Sequence, residues 1–212
     1  MRVMDAIRQR RSVRNYKPDP IPQDVLDRLL EAVRLAPSAG NRQPRRFVVV
    51  RDRATKVRLA EACTFARPSG ETRSQRWIAE APVVIVACGS ESAALCKYYK
   101  DGRPVIAERS AVDAELRAGN VEHESCLAWD LAIALDHLSL AAVEEGLGTC
   151  WIGALDERQV KQILSIPEEV RAPLAMTVGY PASWPEPRPR KPLEEIACYD
   201  VYAWPPAPDG SP

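Results

Sequence analysis

The chain has 212 residues, 46% hydrophobic and 27% charged, with 29 Lys and Arg balanced by 29 Asp and Glu. This composition excludes a collagen, a coiled coil and wholesale disorder, and no apolar run approaches the roughly 18 residues needed to span a bilayer. The zero net charge also argues against a polycation built for nucleic acid.

Residues 4–11 read as a short helix beginning near Asp5. A clearer helix is predicted over 22–35. Pro22 suits a first helical turn, Val25, Leu26, Leu29, Leu30 and Val33 form an apolar stripe, and Pro37 stops it. Residues 46–50 are a strand whose continuous apolar run predicts burial on both faces. A helix fits 56–63, and 81–88 is a second buried strand with Pro82 at its edge. Residues 89–120 are a variable excursion with some helix near 109–118.

A long helix is predicted from about Val121 to Glu145. Leu127, Ala128, Leu131, Ala132, Ile133, Leu135, Leu138, Leu140, Ala141 and Ala142 make its centre apolar nearly all round, as in a core helix, and Gly146 and Gly148 end it. Residues 149–152 and 172–178 are strands, separated by a helix over 156–164 that starts at Asp156. Nine of the 19 prolines fall in 181–212, so that stretch is a tail wrapping a surface. The order gives an α+β layer arrangement with a central sheet and a buried helix. A single domain over 1–204 is expected, followed by a flexible C-terminus at 205–212.

The zero net charge hides a gradient. Residues 1–58 hold 15 Lys and Arg against 6 Asp and Glu, a net of +9, and residues 106–169 hold 4 against 13, a net of −9. Either the N-terminal third faces an anion or the two segments neutralise each other. Cys63, Cys88, Cys96, Cys126, Cys150 and Cys198 are scattered without a Cys-x-x-Cys pair and read as reduced thiols. Residues 1–20 hold five arginines and no apolar core of a secretory signal, so a cytoplasmic location is expected. His123 and Cys126 have no second ligand pair, so no metal is expected.

Four segments could hold a ligand. In Arg10-Arg11-Ser12-Val13-Arg14, guanidinium forks and a hydroxyl suit a phosphate, and Arg10 and Arg14 share a face if the first helix persists. The alternative is a solvated basic face. In Ala36-Pro37-Ser38-Ala39-Gly40-Asn41-Arg42-Gln43-Pro44, small residues allow close backbone approach and Asn41 and Gln43 offer polar edges. The same residues also make a plain turn. Gly146 to Ala154 has a glycine loop that follows a helix and enters a strand, the reverse of a dinucleotide fingerprint, with Gly153 passing close to something. Arg188 and Arg190 point to one side of an extended chain, in a stretch that also reads as a solvated linker. No nucleophile stands beside a His and an acid. The residues form a cradle without evident side-chain chemistry, which fits a protein whose cofactor reacts.

Taken together, Arg10 to Arg14, Ala36 to Pro44, Ala81-Pro82-Val83-Val84, Gly146 to Gly153 and the Arg188/Arg190 pair resemble the FMN-dependent nitroreductase family in order and spacing. The resemblance implies a nitroreductase-like sandwich: a central, mostly antiparallel sheet flanked by helices, in an intertwined homodimer with two FMN sites at the interface. It implies that Arg10, Arg11, Ser12 and Arg14 contact FMN from one subunit, with Arg188 and Arg190 returning to the phosphate. Pro37, Ser38, Ala39 and Asn41 would come from the other subunit. Ile152, Gly153 and Ala154 would line the ring with backbone, and Gln75 would reach the pyrimidine edge. The tail, 181–204, would embrace the partner. Arg14 is the cation expected near the reduced flavin's negative edge.

No catalytic side chain is implied, since FMN carries the chemistry. The implied cycle is ping-pong, with NADH or NADPH as donor and a nitroaromatic, quinone or similar small molecule as acceptor, and with no nucleic acid or membrane partner. The alternatives are a specialised flavin enzyme, dehalogenating or flavin-fragmenting, and a non-catalytic flavin sensor. One departure stands out: many relatives carry Trp after the Gln-Pro, whereas Arg45 and Arg46 follow Gln43-Pro44 here.

Overall fold

The computed structural model of the chain describes residues 1–66, 69–70, 72–100, 103–105 and 123–204. Its centre is a four-stranded sheet of β1 (Arg45–Val50), β4 (Val83–Gly89), β9 (Arg171–Gly179) and β8 (Gly148–Ile152), in the order β1-β4-β9-β8. Every pairing in it is antiparallel. The expected α+β sandwich around such a sheet is what the chain adopts.

Strand β4 shows why the layers form. All seven of its residues are buried, and alternate side chains leave opposite faces of a strand. Val83, Ile85 and Ala87 belong to one core with Leu26, Leu29 and Val33 of α2 (Gln23–Leu35) and Leu131, Leu135 and Leu138 of α5 (Leu127–Glu144). Val84, Val86 and Cys88 belong to another with Leu59 and Ala60 of α3 (Arg53–Ala62), Ile78 of α4 (Trp77–Glu80) and Val160 of α6 (Glu157–Leu164). Each fully buried Leu, Ile or Val contributes about 1.5–3 kcal/mol. Strand β1 departs from expectation: it is an edge strand, so Phe47, Val48 and Val49 are only half-buried.

The first helix, α1 (Val3–Gln9), stops before Arg10, whose backbone is extended at φ −54°, ψ 130°. Arg10 and Arg14 therefore share no helical face. In α5 the expected start was too early: residues 123–125 are strand β7 (His123–Ser125), which pairs with β5 (Leu95–Lys100). The outer face of α5 is exposed, with Trp129 58% and Ile133 38% accessible, so the helix is buried on one side only.

Part of the 89–120 excursion is also a hairpin, between β5 and β6 (Arg103–Val105). A further hairpin joins β2 (Thr64–Ala66) and β3 (Thr72–Ser74). The helix expected near 109–118 and the flexible end at 205–212 lie outside the described residues. Cys126 is in a disulfide, which corrects the reading of it as a free thiol; its N–H bonds to the Ala94 carbonyl at 3.0 Å. Cys63, Cys88, Cys150 and Cys198 are free.

The charge gradient is partly internal. Arg28 on α2 forks onto Glu145 just past α5, at 2.7 and 2.9 Å, and the N-terminal ammonium pairs with Glu144 at 2.6 Å. No helix among the described residues is long and apolar enough to cross a membrane.

Candidate functional site

Strand β8 is the other edge of the sheet, and an open edge leaves backbone groups unpaired. Residues 12–13 cover it. Ser12 bridges to Thr149 in parallel, and the Val13 N–H donates to the Thr149 carbonyl at 2.9 Å. Val13 is fully buried, and in an extended segment Ser12 and Arg14 then leave on its opposite side. The tail follows the same edge, through the Tyr16–Pro181 bridge and an Ala182 N–H bonded to the Asn15 carbonyl at 3.0 Å.

These pairings gather Arg10, Arg11, Ser12, Arg14, Arg188 and Arg190 around one cavity of about 720 Å³. Asn15, Ser183 and Glu186 also line it, and the sequence reading had not named them. Among the described residues none of the five arginines makes an ion pair. Arg10 and Arg188 have no side-chain hydrogen bond there either, and the other three reach only main-chain carbonyls near them in sequence. Arg14 reaches the Ser12 carbonyl at 3.5 Å, and Arg190 reaches those of Arg188 and Pro189 at 3.4 Å. Arg11 donates to the carbonyls of Arg8 and Arg10 at 2.7 and 2.8 Å, closing the carbonyl end of α1. Its Nε–H is buried without an acceptor among the described residues. A buried orphan donor amid uncompensated cations is what an anionic oxygen satisfies, so the set fits a phosphate.

Buried polar groups lie beneath the arginine segment, outside the cavity lining. Burial raises the Cys150 thiol, and Arg14, Arg10 and a hydrogen bond from Ser12 only partly oppose it. Beside it, the Tyr16 hydroxyl bonds to the Val13 carbonyl at 2.6 Å and to Thr177 Oγ1 at 2.7 Å, and burial raises its pKa. Neither group ionises near neutral pH.

A second part of the site joins through Arg14, whose guanidinium lies 5.7 Å from the centre of the Trp77 ring. Two residues earlier, Gln75 Nε2 donates to the carbonyls of Cys63 at 2.9 Å and Ala154 at 3.1 Å. Gln75 therefore pins the strand-exit turn that holds Ile152, Gly153 and Ala154. Ile152 is buried in the core, while Gly153 and Ala154 are exposed. The close approach expected at Gly153 is not there: a Cβ on it would meet nothing nearer than 3.9 Å. It occurs at Gly148, where a Cβ would lie 2.4 Å from Val13 Cγ2.

Pro37, Ser38, Ala39 and Asn41 do not line this cavity. They form a separate loop in which Gly40, Asn41 and Gln43 have φ of 55°, 52° and 49°. Gln43 there costs of order 1 kcal/mol or more. The loop is held internally by the Gln43 N–H on Ser38 Oγ, at 2.9 Å. It is held from outside by Arg45, which stood out in the sequence only as a departure after Gln43-Pro44, and by Asp130, which sequence reasoning missed. The one signal was an acid at position 130 inside an apolar helix.

A profile of the Nitroreductase family matches residues 7–180. A Thermus thermophilus protein named NADH dehydrogenase is 34% identical over 90% of this chain and 92% of its own length. Bacillus subtilis FMN reductase [NAD(P)H] is 29% identical over 94% of this chain and 74% of its own. The crystal structure of a nitroreductase family protein from Clostridium novyi superposes with a TM-score of 0.65 at 26% identity, over 85% of this chain and 86% of that one. Similarity extends to a 5,6-dimethylbenzimidazole synthase of Rhodospirillum rubrum (29%; 84% of this chain, 82% of that protein) and an iodotyrosine deiodinase of Thermotoga neapolitana (25%; 91% and 94%). With the antiparallel sandwich, the basic cavity along its edge and a profile match over most of its length, the chain belongs to the nitroreductase family.

Proposed function

We propose that the chain is an FMN-dependent NAD(P)H oxidoreductase that passes electrons to a nitroaromatic, quinone or similar small acceptor. The observation that carries this reading is that six arginines line one cavity and five of them, all but Arg8, have no acidic partner among the described residues. An FMN phosphate is close to a dianion, and charge-assisted bonds from Arg are the strong kind. When bound, FMN supplies the redox chemistry, taking two electrons from NADH or NADPH and giving them to an acceptor that enters after the donor leaves.

In this reading Arg10, Arg188 and Arg190 hold the phosphate, with Arg11 Nε and Ser12. Arg14, fixed over Trp77, presents positive charge where the reduced ring accumulates negative charge. Ile152, Gly153 and Ala154 line the ring with backbone. Gln75 has committed its N–H groups to Cys63 and Ala154, so it offers the pyrimidine edge only the acceptor Oε1.

Residues 1–204 act as one domain, and two copies complete the site. The exposed apolar residues Val3, Met4 and Ile7 of α1, Trp129 and Ile133 of α5, and Tyr199 and Tyr202 of the tail suit burial against a second copy. That copy would contribute Pro37, Ser38, Ala39 and Asn41. NADH or NADPH as donor suits a cytoplasmic setting.

The test is an absorbance spectrum of purified protein, followed by anaerobic addition of NADH and of NADPH. Flavin bands near ~450 nm that bleach are expected, the faster nucleotide naming the donor. Bands that persist would favour a sensor, or a specialist such as those named for the synthase and deiodinase relatives. Failure to take up added FMN would overturn the reading.

A further inference from the structure

The loop 36–43 is held by two buried charged side chains, Arg45 and Asp130, that each bond to its main chain. Arg45 opens β1 and is 8% exposed. Its Nη2 donates to the Ala36 carbonyl at 2.6 Å, and its Nη1 to the carbonyls of Pro37 at 2.7 Å and Asp130 at 3.2 Å. Asp130, in the first turn of α5, is 3% exposed, and its Oδ1 accepts the Ala39 N–H at 3.2 Å. Its Oδ2 has no partner among the described residues. One fork and one carboxylate thus fix Ala36, Pro37 and Ala39, immediately before three residues with positive φ, Gly40, Asn41 and Gln43.

An apolar side chain here could not bond three carbonyls. A lysine would keep the charge and lose the fork. Burial pulls the Arg45 guanidinium down in pKa and the Asp130 charge opposes it, as for a cation kept by its geometry.

The geometry points to Arg45 and Asp130 as positioning residues for the flavin: they set the loop that one subunit lays against the ring bound by the other. This rests on the proposed function. Both residues act through the loop and neither touches the ring.

The experiment compares wild type with Arg45→Met, Arg45→Lys and the near-isosteric Asp130→Asn, each held well below its melting transition, which circular dichroism locates. FMN affinity is read by quenching of flavin fluorescence, and the bound flavin's absorbance maximum and midpoint potential are recorded. All three variants are expected to weaken FMN binding about tenfold or more and to shift the bound spectrum, with Arg45→Lys giving no rescue. A lower melting temperature with unchanged affinity, spectrum and potential would reduce the pair to structural support and overturn the inference alone. Full rescue by Arg45→Lys would also overturn it, since charge rather than the fork would then suffice. A wild type that binds no FMN would overturn the inference together with the function it rests on.

Discussion

Val13 lies directly against Gly148: its N–H bonds to the Thr149 carbonyl at 2.9 Å, and a Cβ at position 148 would come within 2.4 Å of its Cγ2. This contact seats the arginine segment on the sheet edge. Gly148→Ala must push Val13 outward. Overpacking of this kind costs about 1–3 kcal/mol, a fall in melting temperature of roughly 3–10 °C for a chain of this size. FMN affinity should fall with it, because the segment 10–14 moves. Calorimetry and flavin titration read the two effects. A variant with unchanged melting and unchanged affinity would show that the edge tolerates a side chain.

The cavity arginines give a prediction with the opposite pattern. Arg10 and Arg190 form no ion pair among the described residues, and Arg190 reaches only carbonyls beside it at 3.4 Å. Arg10→Ala with Arg190→Ala should therefore melt within about 2 °C of wild type. Each charge-assisted bond is worth about 1.5–3 kcal/mol, so FMN affinity should fall about 10²- to 10⁴-fold. A double variant that purifies with full flavin would remove these residues from the phosphate.

Much of this arrangement was legible in the sequence, for identifiable reasons. The stripe of Val25, Leu26, Leu29 and Val33 and the apolar run of β4 depend on short-range periodicity, and both folded as read. The cluster of Arg10 to Arg14 with Arg188 and Arg190 was legible as a motif. Its geometry was not: the arginines converge because an extended segment pairs with Thr149, not because a helix continues. Periodicity also could not separate an edge strand from a central one, so β1 was read as buried on both faces. Nor could it tell that apolar Trp129 and Ile133 face away from the core. Long-range contacts such as Arg45 with Asp130, 85 residues apart, leave no local pattern.

The fold's acid sensitivity should pass through Glu157. Burial pushes its carboxyl up, but the Arg171 fork at 2.9 and 3.0 Å and the Ala172 N–H at 2.7 Å outweigh this and hold it below the ordinary 4.5. A carboxylate with a lowered folded pKa stabilises above its unfolded value, and the gain is lost as pH falls through the folded one. Glu157→Gln should cost about 1–2 kcal/mol at pH 7 and progressively less below about pH 4. Denaturant titrations at pH 7 and pH 3 check this. A cost that does not shrink in acid would assign the effect to packing.

Burial pushes the Cys63 thiol up to about 12 and the Cys88 thiol up to about 11, and raises Cys150 as well. Only thiolate reacts with alkylating reagents. All three should stay unlabelled at pH 8 in the folded protein and react once it unfolds, as mass spectrometry of peptides would report. Rapid native labelling of Cys150 would mean that the packing over strand β8 opens.

The account's central claim is that the edge cavity recognises a flavin by its phosphate, and titrating the flavin-free protein in parallel with FMN and with riboflavin tests it most directly. The two ligands share the ring and differ in the phosphate, so FMN should bind at least about a hundredfold more tightly, a gap of some 3 kcal/mol from the guanidinium contacts. Equal affinities, or binding of neither, would contradict it.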